Sequence, residues 1–222
     1  MAVTAQTIPV EAGELPLTVA RAEGRGAAIV IVPSVFGVAR DLEQQMDELA
    51  SDAGLVIAMD PFFREGGGPM PYDDLAPAMA RLASFDLRRC YRDLCAAIEW
   101  ARAQDGVSRV IALGICFGGG YVLRAAADGL IDGFVTWHGS RMESLVHRAA
   151  DVKCPVRMHF GSADPIVPPP ALDAIRSAFA GHRDVQMIVH EGVNHGFSHR
   201  TGRAYDASAE RAGMESLREL AR

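Results

Sequence analysis

The stretch VIALGICFGGG, Val110–Gly120, decides the fold. Val110–Leu113 is a short, continuous apolar run, the pattern of a strand covered on both faces of a parallel sheet. Gly114-Ile115-Cys116-Phe117-Gly118 follows, and a helical pattern begins at once. Where a strand turns directly into a helix, the central residue is forced into a strained backbone. Its neighbours must be small because the chain folds tightly around it. The side chain at the turn, here Cys116, is thereby pushed out over the carboxyl edge of the sheet at a helix N-terminus. Helix-end amides and a nearby imidazolium both favour a thiolate there. Taken alone, Cys116 reads as a small residue packed in a Gly-rich turn. Its place between strand and helix favours a nucleophile.

Outward from this turn the chain alternates between short β-rich runs and helical stripes. The other strand candidates are Ala28–Val32, Leu55–Met59, Phe134–Trp137, Val156–Phe160 and Val185–His190. Between them, Asp41–Ala53 carries Leu42, Met46, Leu49, Ala50 and Ala53 on one face and stops at Gly54. Asp86 is placed to cap a helix burying Leu87, Tyr91, Leu94, Ile98 and Ala101. Gly119–Asp128, Pro170–Ala180 and Asp206–Leu220 complete the alternation. The reading is one α/β domain over residues 1–222, a mostly parallel sheet with helices on both faces. Phe63–Pro77, FREGGGPMPYDDLAP, is the least regular stretch and reads either as a surface loop or as the rim of a site.

Composition closes off several function classes. The 222 residues carry 22 Lys+Arg against 28 Asp+Glu, a net charge of −6, with 49% hydrophobic residues. A mildly acidic chain without a basic block is not built for nucleic acid or an anionic membrane surface. No apolar run approaches the ~18–20 residues that cross a bilayer, and the N-terminal stretch has no export signal. The four cysteines form no CxxC pair, and the seven histidines show no HExxH spacing. Reduced thiols in a cytoplasm, no cofactor and no metal are therefore expected.

A nucleophile needs a base and a group to orient it. Asp164, in Gly161-Ser162-Ala163-Asp164-Pro165, follows the strand Val156–Phe160; His195, in Asn194-His195-Gly196-Phe197, follows the strand Val185–His190. Separations of 48 and 31 residues put Cys116, Asp164 and His195 each just past the carboxyl end of a different strand. That is the edge where open parallel sheets build their sites. Singly, Asp164 reads as a turn residue before Pro and His195 as a loop histidine. Together, in the order nucleophile, acid, His, they have the chain order of α/β-hydrolases.

The chain resembles the dienelactone hydrolase family (carboxymethylenebutenolidase-like proteins), a compact branch of the α/β-hydrolase fold without a cap domain and with a cysteine nucleophile. The likeness rests on IVIVPSVFGV at Ile29–Val38, GICFGGG, GSADPIVP, and NHGF with TGRAYDASAERA after it. It implies Cys116, His195 and Asp164 as the catalytic triad and the backbone N–H groups of Val35 and Phe117 as the oxyanion hole. Ser34 stands where members that open dienelactones carry a glutamate. No arginine matches theirs near Leu75. A second arginine of theirs aligns with either Arg200 or His199.

Ser34, Phe36 and Arg200 are thus expected to meet the substrate, Arg200 through a carboxylate. His138, at the end of a strand, reads first as a packing residue and second as a pocket wall. His159, inside a strand, reads as a satisfied core histidine. The function expected is cleavage of a small ester or lactone through an acyl-thioester on Cys116, by a cytoplasmic monomer or weak homo-oligomer. The runner-up is a redox-sensing or ligand-binding protein that keeps the pocket and a reactive Cys116.

Overall fold

The computed structural model describes residues 3–22 and 26–222. Eight strands form one sheet: β1 (Thr4–Val10), β2 (Gly13–Arg21), β3 (Gly26–Val32), β4 (Leu55–Met59), β5 (Val107–Ile115), β6 (Gly133–Trp137), β7 (Val156–Gly161) and β8 (Val185–His190). Their order is β1-β2-β4-β3-β5-β6-β7-β8. β2 runs antiparallel to β1 and to β4, and every other pairing is parallel.

Helices α1 (Arg40–Ala53), α2 (Leu75–Ala83), α3 (Leu87–Arg102), α4 (Gly118–Ala127), α5 (Pro169–Ala178) and α6 (Ala207–Ala221) cover the sheet. Its central strands divide their side chains by parity. Ala28, Val30 and Val32 of β3 and Val110 and Ala112 of β5 join the core under α3, α4 and α5. Ile29, Ile31, Ile111, Leu113 and Ile115 face the core under α1 and α6. Each Val, Leu and Ile among them contributes roughly 1.5–3 kcal/mol by leaving water, so both faces of the strand are held and the carboxyl edge is fixed in place.

The helix ends obey the local chemistry. The carboxylate of Asp86 accepts from the N–H groups of Arg88 and Arg89, and that of Asp206 from Ser208 and Ala209. α1 stops where Gly54 takes φ 91°. All six strands expected from sequence are present, with ends shifted by a few residues. The N-terminal hairpin β1–β2 is additional. So is α2, which starts inside the stretch Phe63–Pro77: Asp74 caps it through the Ala76 N–H. Pro77 occupies its first turn, where an amide hydrogen has no partner within the helix and its loss costs nothing. A 3-10 turn at Phe63–Glu65 and a 3-10 segment at Glu143–Asp151 complete the elements.

Candidate active site

Cys116 sits between β5 and α4 with φ 54°, in the left-handed region that a side chain enters only under strain. Its glycine neighbours are steric requirements. A Cβ on Gly114 would lie 2.6 Å from the Gly118 carbonyl oxygen, and one on Gly118 would lie 2.4 Å from that of Val32. The turn is pinned from behind, since the Cys116 N–H donates to Trp137 O at 3.1 Å and its carbonyl accepts from Ser140 N–H at 2.8 Å.

Asp164 follows β7 and is 4% exposed. Its Oδ1 accepts the N–H groups of Ile166 (2.7 Å) and Val167 (3.1 Å), which leaves Oδ2 for His195. His195 Nδ1 lies 2.7 Å from Asp164 Oδ2, and Nε2 lies 3.1 Å from Cys116 Sγ. A carboxylate only accepts, so it takes the hydrogen on Nδ1 and turns Nε2 toward sulfur. Burial pulls the His195 imidazole down, but the Asp164 carboxylate and the Cys116 sulfur outweigh it and raise it from 6.5 to about 9. The three distant side chains meet in one hydrogen-bonded line.

A cavity of about 500 Å³ opens over Cys116 and His195. Val35, Phe36 and Phe117 line it, with Leu75 and Met79 of α2 and Ile166 of the Asp164 turn forming an apolar mouth. Arg141 and Arg203 stand on its wall. Ser34 is not among its lining residues: it is 2% exposed, and its Oγ accepts the Phe36 N–H at 3.4 Å. Arg200 is elsewhere too. Its guanidinium donates to both carboxylate oxygens of Glu48 (2.6 and 2.9 Å) and to Glu210 Oε1 (2.7 Å), so the position read as a carboxylate-binding arginine is occupied with tying α1 to α6. The ring of His199, the other alignment, stacks on Tyr72 at 4.2 Å and lines the cavity. Burial, with His195 beside it, lowers His199 to about 3. Arg203 lies in the matched segment after His195, but only the folded turn tells it apart from Arg200.

His138 is fully buried, at φ 40°, edge-on to the His195 ring at 4.6 Å. Its Nε2 is 2.9 Å from Ser198 Oγ, and burial holds it well below the usual histidine range. Ligand atoms of Cys116, His138 and His195 lie within 4.8 Å of one another. The sequence places Cys116 and His195 together at this edge, but the approach of the His138 ring to the sulfur is set by the fold. His159 is a core histidine between Ser216 and His190, as read. A second cavity, of about 570 Å³, lies between the Glu143–Asp151 segment and α5; the described residues lining it include no cysteine or serine.

The family model for the dienelactone hydrolase family matches residues 17–221, nearly the whole chain. The chain belongs to that family. As a member it is a hydrolase of the ester- and lactone-cleaving class. A carboxymethylenebutenolidase of Pseudomonas putida is 28% identical over 204 residues, covering 90% of this chain and 86% of that one. The crystal structure of a putative dienelactone hydrolase from Klebsiella pneumoniae superposes with a TM-score of 0.84 at 24% identity, covering 99% and 98% of the two chains. A dienelactone hydrolase-like promiscuous phosphotriesterase from metagenomic libraries superposes with a TM-score of 0.79 at 24% identity over both full chains. Both place this chain in the α/β-hydrolase fold of the family. Among the described residues no helix is long and apolar enough to cross a membrane.

Proposed function

We propose that the protein cleaves a small apolar or aromatic ester or lactone through an acyl-thioester on Cys116. The observation that carries this reading is the line Cys116–His195–Asp164, with steps of 3.1 and 2.7 Å, opening on a cavity with an apolar mouth. His195, raised to about 9, already carries at Nε2 the proton it shares with the Cys116 sulfur as that sulfur bonds to the carbonyl carbon. The carbonyl oxygen takes up the negative charge within reach of the Val35 and Phe117 N–H groups, which we assign as the oxyanion hole. As the C–O bond breaks, His195 returns the proton to the departing alkoxide. Water, deprotonated by His195, then attacks the thioester and releases the acid and the free thiol. Asp164 keeps the imidazole in the tautomer that both half-reactions need.

Leu75, Met79 and Ile166 are 51%, 47% and 55% exposed, and all three stand at the mouth of this cavity. Exposed apolar side chains gathered at one opening mark a surface for an apolar ligand. Arg141 and Arg203 supply the wall where a carboxylate on the substrate would sit. All four cysteines are free, which supports a cytoplasmic setting. We assign a monomer as the working form.

The test is burst kinetics on p-nitrophenyl acetate, with mass spectrometry of the quenched enzyme. An acetyl group on Cys116, and loss of both burst and turnover in Cys116→Ala and His195→Ala, is the expected result. Turnover surviving in Cys116→Ala would overturn the reading. A chain that forms a persistent sulfenic acid at Cys116 and turns over no ester would be a redox sensor instead.

A further inference from the structure

We infer that Cys116, His138 and His195 form a chelating site for a thiophilic divalent cation, Zn²⁺ first of all, whose occupancy blocks the hydrolase. The inhibitory consequence rests on the function proposed above; the binding itself does not.

One sulfur and two imidazole nitrogens, from the β5, β6 and β8 ends of the sheet, lie within 4.8 Å of one another. Around Zn²⁺, with Zn–S near ~2.3 Å and Zn–N near ~2.0–2.1 Å, tetrahedral ligand atoms are roughly 3.3–3.6 Å apart. Cys116 Sγ and His195 Nε2, at 3.1 Å, already approach that spacing, and a His138 nitrogen, within 4.8 Å of both, closes by at most about 1.5 Å.

A second observation points the same way. His138 is 0% exposed, yet its Nδ1 has no hydrogen-bond partner among the described residues, while its Nε2 is tied to Ser198 Oγ at 2.9 Å. A buried polar atom left without a partner is costly and calls for a reason. In the tautomer whose Nε2 hydrogen is donated to Ser198 Oγ, Nδ1 keeps an unengaged lone pair. A metal-ligating histidine is commonly held in this way, one nitrogen tethered through its hydrogen and the other left free. His195 is tethered in the same manner, by Asp164 at Nδ1. One thiolate and two neutral imidazoles suit Zn²⁺ and not Mg²⁺ or Ca²⁺, which prefer oxygen ligands. The fourth position would open toward the cavity that Cys116 and His195 line. On binding, the proton shared by the Cys116–His195 pair leaves to solvent, and the nucleophile and its base are both withdrawn from catalysis.

The test uses the full chain freed of metal with a chelator, titrated with Co²⁺ and then with Zn²⁺. Expected are a thiolate-to-cobalt charge-transfer band in the near ultraviolet, its displacement by Zn²⁺, and its absence in Cys116→Ala. His138→Asn, chosen because Asn tolerates the left-handed backbone at this position, weakens binding by at least ~10-fold; Ser198→Ala, which frees the ring from its tether, weakens it about 10-fold. Should His138→Asn fail to fold, Ser198→Ala carries the comparison. No band from the native chain, or binding unchanged in the folded variants, overturns the site. The two readings fail separately. Cobalt binding by a chain that cleaves no ester removes the hydrolase mechanism and keeps the site, whereas ester cleavage without a sulfur–cobalt band does the reverse.

Discussion

The guanidinium of Arg81 donates to the Val35 carbonyl oxygen over 2.9 Å, joining α2 to the turn that follows β3. The same side chain, 6% exposed and lying over the Phe62 ring, donates to the Gly67 and Gly68 carbonyls at 3.2 and 2.9 Å. One buried cation thus holds both the Gly-rich loop and the turn beside Cys116. Arg81→Met strands these carbonyls and is expected to cost about 1–3 kcal/mol of stability. If the Val35 N–H is an oxyanion donor, kcat also falls by up to ~10²-fold while KM changes little. Urea midpoints and ester kinetics on the same preparation check both. An unchanged kcat in the folded variant would detach the Val35 turn from the reaction.

Asp164→Asn keeps an oxygen for the Ile166 and Val167 amides but loses the acceptor that selects the His195 tautomer. A fall in kcat/KM of ~10²–10⁴ is expected, with stability less affected than rate. Activity within a factor of a few of the native chain would show that His195 is oriented by something else.

His195 gives the folding equilibrium a defined pH dependence. Its value in the folded chain, about 9, lies above the ordinary 6.5. A group raised by folding contributes its full stabilisation below the unfolded value and loses it as pH rises through the folded one. The stability gap between the native chain and His195→Gln should therefore be widest near pH 6 and narrow toward pH ~9.5. Chemical denaturation at these two pH values measures it, and a gap that widens with pH has the wrong sign for this account.

Arg200→Ala is expected to leave substrate preference untouched and to lower stability by about 1–3 kcal/mol. Glu210, 5% exposed, loses the guanidinium and, among the described residues, keeps Gln45 and the Tyr205 hydroxyl as side-chain partners. A carboxylate-bearing ester should instead lose its advantage in Arg203→Ala or Arg141→Ala, read as KM against a neutral ester of the same size. Loss of that advantage in Arg200→Ala would show the side chain leaving its carboxylates to reach substrate.

Much of this was legible from residue order. β5 and its glycine turn, the turns at Asp164 and His195, and the two faces of the sheet follow from local patterns: continuous apolar runs, small residues around a tight turn, acidic caps. The hairpin β1–β2 has no decisive local signature, although Leu15, Leu17 and Val19 alternate inward. Pro9 and Pro16 argue against strands locally, and the pairing is completed from far along the chain, by β4 against Leu17–Arg21 and by the Asp60 N–H just after β4 on Pro16 O. Arg200 misled for a related reason. Spacing places a side chain near a turn but says nothing of the carboxylates, Glu48 and Glu210, that arrive from elsewhere in the chain to claim it. His138 reads first as a packing residue. Its fully buried ring fits that reading, but its nearness to sulfur depends on how β6 is registered against β5, which no local pattern contains.

At residue 116 durability and reactivity pull in opposite directions. A left-handed backbone at a residue with a Cβ costs of order 1–3 kcal/mol, and glycine would carry no such penalty. Cys116→Gly should therefore melt above the native protein while being inert, whereas Cys116→Ser carries the same backbone burden. Any difference in rate between sulfur and oxygen at this position then reports bond-making chemistry alone, so the chain is a ready scaffold for comparing the two elements as nucleophiles on one unaltered backbone.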